Sequence, residues 1–461
     1  MRKIAAITIL TLRTAIRSRL VAALIVILLI AAVILPGAVR GDGTLPGQVR
    51  MAIAYTLGVT RILLSMAALW AAAGAIALEV EDRQIHMVMT KPITAFQVWT
   101  GKWLGLLFIH AGMLTIVGIL LYAGLMWTLH RSASPAEQDL LREHLYTSRL
   151  RIVPEEPDLT TEIQARFNAL RQATDGDTSL PDDTLLANLA NSIRAERLVV
   201  APGQSRQWIL HVPGCQSTVD SRVITLRYRF VSSFRDRLPV TGTWWIGNPD
   251  EPRLGSIPVD EKPEGVHRLD IPASARSSST PWVLTFDNET RDKSNTVVFD
   301  FNRGIELLIE DGTMGANLFR GLWIILAQLA LLTAVGITVS TGFSMPVTSF
   351  TTTALLCICL LSRWAADDSL TVSGDHHGTS SPPPEIVPIL TETGEWIINR
   401  VAHATNPLFA VSPSNRLADG IRITWAETGH STLWMLLIYP AILAAIGHII
   451  LRRRELALPT T

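Results

Sequence analysis

Apolar residues along this chain gather into six runs separated by charged or Gly- and Pro-rich breaks: Leu20 to Pro36, Ile62 to Val80, Trp103 to Trp127, Asn317 to Thr341, Thr351 to Trp364 and Leu433 to Leu451. A hydrocarbon core of about 30 Å takes roughly 20 helical residues at 1.5 Å each, so the pattern predicts six crossings. The fifth, TTTALLCICLLSRW, is short and Thr-rich and relies on local thinning or on its neighbours. Between the third and fourth runs the period changes. LRYRF, HRLDI, PWVLTF, TVVFDF and IELLIE read as short strands bounded by Pro, Gly, Ser and Asp clusters, and SPAEQDLLREHLYTSRLRI and DDTLLANLANSIRAERL read as helices ahead of them. The expected fold is a polytopic α-helical membrane protein with six transmembrane helices and an inserted α+β extracytoplasmic domain containing a β-sandwich of Ig or jelly-roll type. Residues 1–129 form the first membrane half, 130–316 the helical leader and sandwich, and 317–461 the second membrane half, with an outer loop over 365–431.

The connecting stretches fill in the topology. MRKIAAITILTLRTAIRSRL reads as an interfacial helix lying on the membrane. A cleaved signal peptide is the competing reading, disfavoured because the leading segment is itself apolar and AVILPGAVRG lacks a good small-residue cleavage site. Gly37 to Arg61 reads as a Gly-rich outer loop, with Arg61 snorkelling at the end of the second span. Arg320 is expected at the outer edge of the fourth. GFSMPVTSF forms an inner turn broken by Pro346, SGDHHGTSSPPPE a flexible linker, and EIVPILTETGEWIINRVAHATNPLF an amphipathic helix.

Charge orients the chain. Arg2, Lys3, Arg13, Arg17, Arg19, Lys91, Lys102, Arg452, Arg453 and Arg454 all fall on one side, which the positive-inside rule makes the cytoplasm, so the chain is expected in the plasma (inner) membrane with both termini inside and 130–316 outside. The composition, 48% hydrophobic and 17% charged with zero net charge, gives no basic excess for nucleic acid. Of the three cysteines Cys357 and Cys359 lie in an apolar run and Cys215 has no evident partner, so neither a disulfide nor a metal site is expected. No GxxxxGK[ST], GxSxG, HExxH or CxxC pattern occurs, and no catalytic or cofactor-binding residue stands out.

The stretch that organises the rest is ALEVEDRQIHMVMTKPITAFQVWTGKWLGLLF, Ala77 to Phe108. Glu79, Glu81, Asp82 and Arg83 mark an exit from lipid, since a charge at the membrane centre costs about 2.5–3.5 kcal/mol. Glu79 and Arg83 stand four apart, acid first, which continues the helix into water. Ile85, Val88 and Met89 recur at helical spacing, Pro92 fits a first helical turn, and Ile93, Phe96, Trp99 and Trp103 follow at threes and fours, with Lys102 placed to snorkel. This order of an acidic cluster, a short helix, a Lys-Pro-Ile-Thr step at Lys91 to Thr94 and the pair Gly101-Lys102 resembles the stretch after the second span of type-2 ABC exporter permeases, and GFSMPV is similar to a step some members carry. It departs from the commonest pattern, which has Gly-Thr where Arg83 and Gln84 stand and often Arg where Ala95 stands. The resemblance covers the membrane segments and leaves the β-rich insertion outside it. It implies that 79–102 is a coupling segment received by a separate ABC ATP-binding subunit, with Glu79, Glu81, Arg83, Ile85, Val88, Met89, Lys91, Pro92, Gly101 and Lys102 as contact residues. ATP and Mg would be bound by that partner, with no cofactor in this chain, and a permease homodimer or related heterodimer would form the pathway.

Two other readings stand beside this one: a membrane-anchored extracellular binding or adhesion protein, for which one span would suffice, and a membrane-embedded enzyme, which would show ionisable groups converging at a membrane face. Trp244-Trp245 reads either as a sugar-stacking platform or, preferred, as one core ring and one rim ring. Asn288 opens an Asn-Glu-Thr glycosylation pattern, and His376-His377 reads as a solvated pair rather than a metal site.

Overall fold

The computed structural model describes residues 2–17, 19–38, 45–82, 93–131, 147–155, 158–173, 182–212, 223–232, 239–263, 265–272, 281–290, 296–299, 304–369, 400 and 412–453. They form two compact units, a helical one from residues 1–146 and 313–461 and a β-rich one from Thr147–Gly312.

The helical unit begins with α1 (Arg2–Ile16) and α2 (Arg19–Ala38), whose axes meet at 67°. Two helices of 37 residues follow, α3 (Leu45–Glu81) and α4 (Ala95–Arg131). After the β-rich unit come α7 (Met314–Ser340), α8 (Met345–Ser369), the short α9 (Pro413–Ala418) and α10 (Trp425–Ser431), a π-helical stretch Thr432–Ile438 and α11 (Tyr439–Arg453). Among the described residues four helices are long and apolar enough to cross a membrane: Gly47–Glu81, Ala95–Thr128, Met314–Ser340 and the continuous Trp425–Arg453. The bent pair α1 and α2 makes a fifth if counted as one span, and Met345–Leu361 is a shorter apolar helix.

The second span differs from its expected extent. Its helix starts at Leu45, so residues 45–61 are not an outer loop and Arg61 lies within the helix. The cause is legible afterwards: Val49, Ile53 and Leu57, each four apart, are buried in one cluster with Leu318 and Ile324 of α7. Further along, Gly336 of α7 meets Ala72 of α3 so closely that an added Cβ would lie 2.5 Å from the Ala72 Cβ. The helices therefore run side by side in the same direction, and small residues set their closest approach. The π-helical stretch precedes Pro440, which has no N–H to give and whose ring would strike the carbonyl four residues back; a widened turn accommodates both.

Among its described residues the β-rich unit carries two helices, α5 (Thr160–Ala173) and α6 (Asp182–Leu198), and ten strands: β1 (Thr147–Ile152), β2 (Val199–Val200), β3 (Ser205–Leu210), β4 (Ile224–Ser232), β5 (Val240–Gly247), β6 (Gly255–Glu261), β7 (Val266–Asp270), β8 (Trp282–Asn288), β9 (Val297–Phe299) and β10 (Ile305–Thr313). TSRLRI, expected at the end of a helix, is strand β1: its alternating Leu150 and Ile152 join the core, a demand of period two that outweighs local helix propensity. One sheet has the order β1-β10-β4-β9-β2 with β7 also paired to β4, and the other β3-β8-β5-β6. Strand β4 organises the first. β9 and β10 run antiparallel along successive parts of it, Phe299 opposite Phe230 and Ile305 opposite Tyr228.

Both sheets contribute to one aromatic core. Tyr228 and Phe299 of the first meet Trp244 and Phe286 of the second, with ring centroids 5.0 Å apart for Tyr228–Trp244 and 5.4 Å for Phe286–Phe299. Each fully buried ring of this size contributes roughly 1.5–3 kcal/mol, which makes this cluster the main support of the unit. Burial and the neighbouring Glu261 carboxylate push the Tyr228 phenol far above its ordinary range. Elsewhere in the first sheet the Glu306 carboxylate accepts from Arg227 Nε at 2.9 Å and pairs with Arg151 at 2.5 Å, two charge-assisted contacts on one buried acid.

Adjacent strand residues point to opposite faces, and Trp244 and Trp245 do so. Trp244 is wholly buried; Trp245 is partly exposed, donates its indole N–H to Asp287 at 2.8 Å and lies under the Arg253 guanidinium. Asn288, the glycosylation candidate, is 1% exposed and its amide nitrogen donates to Val200 O at 3.0 Å, so the acceptor atom faces inward in the folded unit. Cys215, His376, His377 and, apart from Arg400, the predicted helix from Glu385 lie outside the described residues.

Candidate functional site

The end of α3 and the start of α4 bracket the acidic stretch. Helix α3 reaches Glu81 and turns at Asp82, whose N–H still donates to Leu78 O at 2.8 Å. Helix α4 starts at Ala95 behind a reciprocal cap: Gln97 N donates to Thr94 Oγ1 and Thr94 N to Gln97 Oε1, both at 3.3 Å. Of the ten residues expected in this segment, Glu79, Glu81, Gly101 and Lys102 are described; Arg83, Ile85, Val88, Met89, Lys91 and Pro92 lie outside the described residues.

Lys102 does not reach for headgroups. It is 5% exposed, and its ammonium donates to Glu79 Oε1 at 2.5 Å and to Ala75 O at 2.6 Å. The small residues of α3 from Ala71 to Ala75 let α4 approach, and an ammonium surrounded by apolar helices gains more from a carboxylate than from stretching toward water. The pair ties the two helices together at the base of the bend. Glu81, two residues on, accepts from the backbone N–H of Met345 at 3.1 Å, the first residue of α8. A carboxylate there satisfies one of the orphan donors of that helix and sits at the positive end of its dipole.

Gly101 faces the other way. A Cβ on it would lie 2.7 Å from the Ile7 Cβ, and the Thr8 hydroxyl donates to Gly101 O at 3.2 Å. Gly105 repeats this one turn later against Thr11, so two glycines four apart form the groove in which α1 lies.

Two indoles complete the arrangement. Trp99 and Trp103 stack with centroids 6.1 Å apart; Trp99 Nε1 donates to Thr338 Oγ1 at 3.2 Å and Trp103 Nε1 to Ala330 O at 2.9 Å, both on α7. Thr338 also donates to Leu443 O of α11 at 3.2 Å, and Gly447 gives Trp99 its space, an added Cβ there lying 2.7 Å from the ring. The first two turns of α4 thus engage α1, α3, α7 and α11. Thr338, Ala330, Gly447 and Met345 went unread in the sequence. The spacing of Gly101 and Gly105 was the one available signal.

A second polar cluster occupies the opposite end of α7. Asn317 exchanges bonds with Ile421 O at 2.9 Å and Ile423 N at 2.8 Å, and Arg320, in the second turn of α7, is 4% exposed, donating to Ala316 O and Ile423 O beneath the Trp425 ring. Arg50 pairs with Asp419 at 2.6 Å, and Arg416 with Glu427 at 2.5 Å. These contacts fold Ser412–Ser431 back onto α3 and α7, which explains the buried arginine: the backbone carbonyls of that returning segment need donors.

Chemically, the first cluster is a mechanical junction. Its polar groups are spent on helix-to-helix bonds, and among the described residues no group of three or more His, Cys, Asp or Glu is placed to hold a metal ion. No family model matches the chain, and no curated protein matches it in sequence.

Proposed function

We propose that this chain is the permease subunit of an ATP-driven ABC transporter, an exporter whose ATP hydrolysis takes place in a separate ATP-binding subunit docked on the acidic bend. The observation that carries the reading is the junction itself: the Glu79–Lys102 pair closes the base of the bend, Glu81 engages the start of α8, and the first turns of α4 hold α1, α7 and α11. A load applied at the bend meets five helices within two turns. Closure of the partner on ATP then needs only a differential contact with the bend to bias those helices between two arrangements. In this reading six segments cross the plasma membrane, α2 and the short α8 among them, both termini are cytoplasmic, and a second permease chain completes the pathway. The two sheets of the β-rich unit form a sandwich outside the membrane. The resemblance of Glu79 to Lys102 to the type-2 exporter pattern supports the same assignment.

The test is affinity purification of the tagged full-length chain from its native membrane, with the ATP-binding subunit identified by mass spectrometry and its ATPase rate measured in the complex. Glu81→Lys is expected to cut both recovery and ATPase stimulation, and Glu81→Cys to be labelled by reagents applied from the cytoplasmic side. An ATPase recovered equally well with Glu81→Lys, or labelling from outside alone, overturns the proposal.

A further inference from the structure

We infer that α11 is a latched, pivoting helix and that the Thr338 hydroxyl on α7 is its latch, a positioning group that carries movement of the bend between α3 and α4 to the last helix. The inference rests on the reading of that bend as the seat of an ATP-binding subunit. Thr338 is 6% exposed and has one hydroxyl proton to give. Two acceptors stand within its reach: Ala334 O at 2.8 Å, one turn back on α7, and Leu443 O at 3.2 Å on α11. The acceptor side of the same oxygen is taken by Trp99 of α4, whose Nε1 donates to it at 3.2 Å. With its proton toward Leu443 the hydroxyl ties α7 to α11. Turned toward Ala334 it bonds within its own helix, as Thr333 and Thr352 do with Leu329 O and Thr348 O, and lets α11 go. The proton stays bonded in both arrangements, so small displacements of the neighbours decide between them.

Those neighbours are placed to move it. Trp99 stands three residues before Lys102, whose ammonium closes the base of the bend on Glu79, and its own ring is 2% exposed. The edge of that ring fills the notch that Gly447 leaves on α11: a Cβ there would lie 2.7 Å from Trp99 Cδ1 and 3.7 Å from Thr338 Oγ1. Leu443 and Gly447, one turn apart, thus present a carbonyl and bare backbone to the same Trp99–Thr338 pair. Within a turn of Leu443, Pro440 and the π-helical stretch Thr432–Ile438 interrupt the regular ladder of backbone bonds, and such interruptions are where helices bend. The last helix therefore has a pivot before the contact and a latch at it. A load at the bend that shifts Trp99 in its notch draws the Thr338 hydroxyl from one carbonyl toward the other.

The test is amide hydrogen exchange over Tyr439–Arg453, read by mass spectrometry on the full-length chain alone and in complex with its ATP-binding subunit, with and without ATP. Loss of one hydrogen bond of this kind is expected to speed exchange about five-fold. On the chain alone, Thr338→Val and Gly447→Ala should each do so, and Thr338→Ser, which keeps the hydroxyl, should stay near the unaltered rate. In the complex, ATP is expected to change exchange over the segment in the unaltered chain and in Thr338→Ser, and to leave it unchanged in Thr338→Val with the ATP-binding subunit recovered in full. A residue that merely packs would let the Val variant exchange faster and still respond to ATP, and that result overturns the inference, as does a Val variant that behaves like the unaltered chain. If no ATP-binding subunit is recovered with the unaltered chain, the functional reading fails and the relay falls with it, while the measurement on the chain alone still decides whether Thr338 holds α11.

Discussion

Replacing Lys102 by Met keeps the length of the side chain and removes its charge. In the native protein the ammonium contacts Glu79 Oε1 at 2.5 Å and Ala75 O at 2.6 Å; its own side chain is 7% exposed and that of Glu79 28%. Removing one partner of a fully buried pair costs about 3–5 kcal/mol, because the other charge is stranded, whereas an exposed pair is worth about 0–1 kcal/mol. Glu79 keeps partial contact with water, so Lys102→Met is expected to cost about 2 kcal/mol, between those limits. At roughly 2–4 °C per kcal/mol for a large domain, the unfolding temperature should fall by about 4–8 °C. Glu79→Gln should cost at least as much, since the ammonium it strands is the more deeply buried of the two charges, and the double variant should be no worse than either single one. The assay is thermal unfolding of the four proteins in mild detergent, followed by tryptophan fluorescence. Losses that simply add in the double variant would refute the pair. A large change between low and high salt would refute its burial.

Gly336→Leu should lower the unfolding temperature sharply, because even a Cβ would lie 2.5 Å from Ala72, while Gly58→Ala, with nothing within 4 Å, should leave it unchanged or raise it slightly; differential scanning fluorimetry compares them. Tyr228 ionises far above its ordinary value in the folded unit, so its contribution to stability is complete below the unfolded tyrosine value of about 10 and is lost as pH rises beyond it. Unfolding midpoints measured from pH 8 to 11 should fall more steeply above pH 10 than those of Tyr228→Phe; parallel curves would refute this.

The misread elements show what local pattern carries and what it omits. LRYRF, PWVLTF and IELLIE were legible as strands because β-branched and aromatic residues crowd them. VTGTWWIG, GSIPVDE and SRQWIL were missed: glycine, proline and charge break the local signal, and their pairing with β8 and with each other is what makes them strands. The start of α3 was misplaced because Gly47, Arg50 and Arg61 look like loop and edge residues until α7 offers Val49, Ile53 and Leu57 a face to bury.

At the candidate junction, the spacing of charged and aromatic residues picked out Glu79, Trp99, Gly101, Lys102 and Trp103 and left Gly105 and the groove it forms with Gly101 unread. The sequence reading misjudged Lys102 and did not foresee the burial of Arg320, whose partners lie far away along the chain. The sequence by itself determined where this protein is apolar enough for lipid and where a β-rich unit interrupts it, because transfer free energy is additive over neighbouring residues. Only the tertiary structure decided which charges are paired and which glycines touch. Those depend on surfaces brought together from distant segments, and an ammonium takes the nearest carboxylate that packing supplies whatever its place in the sequence.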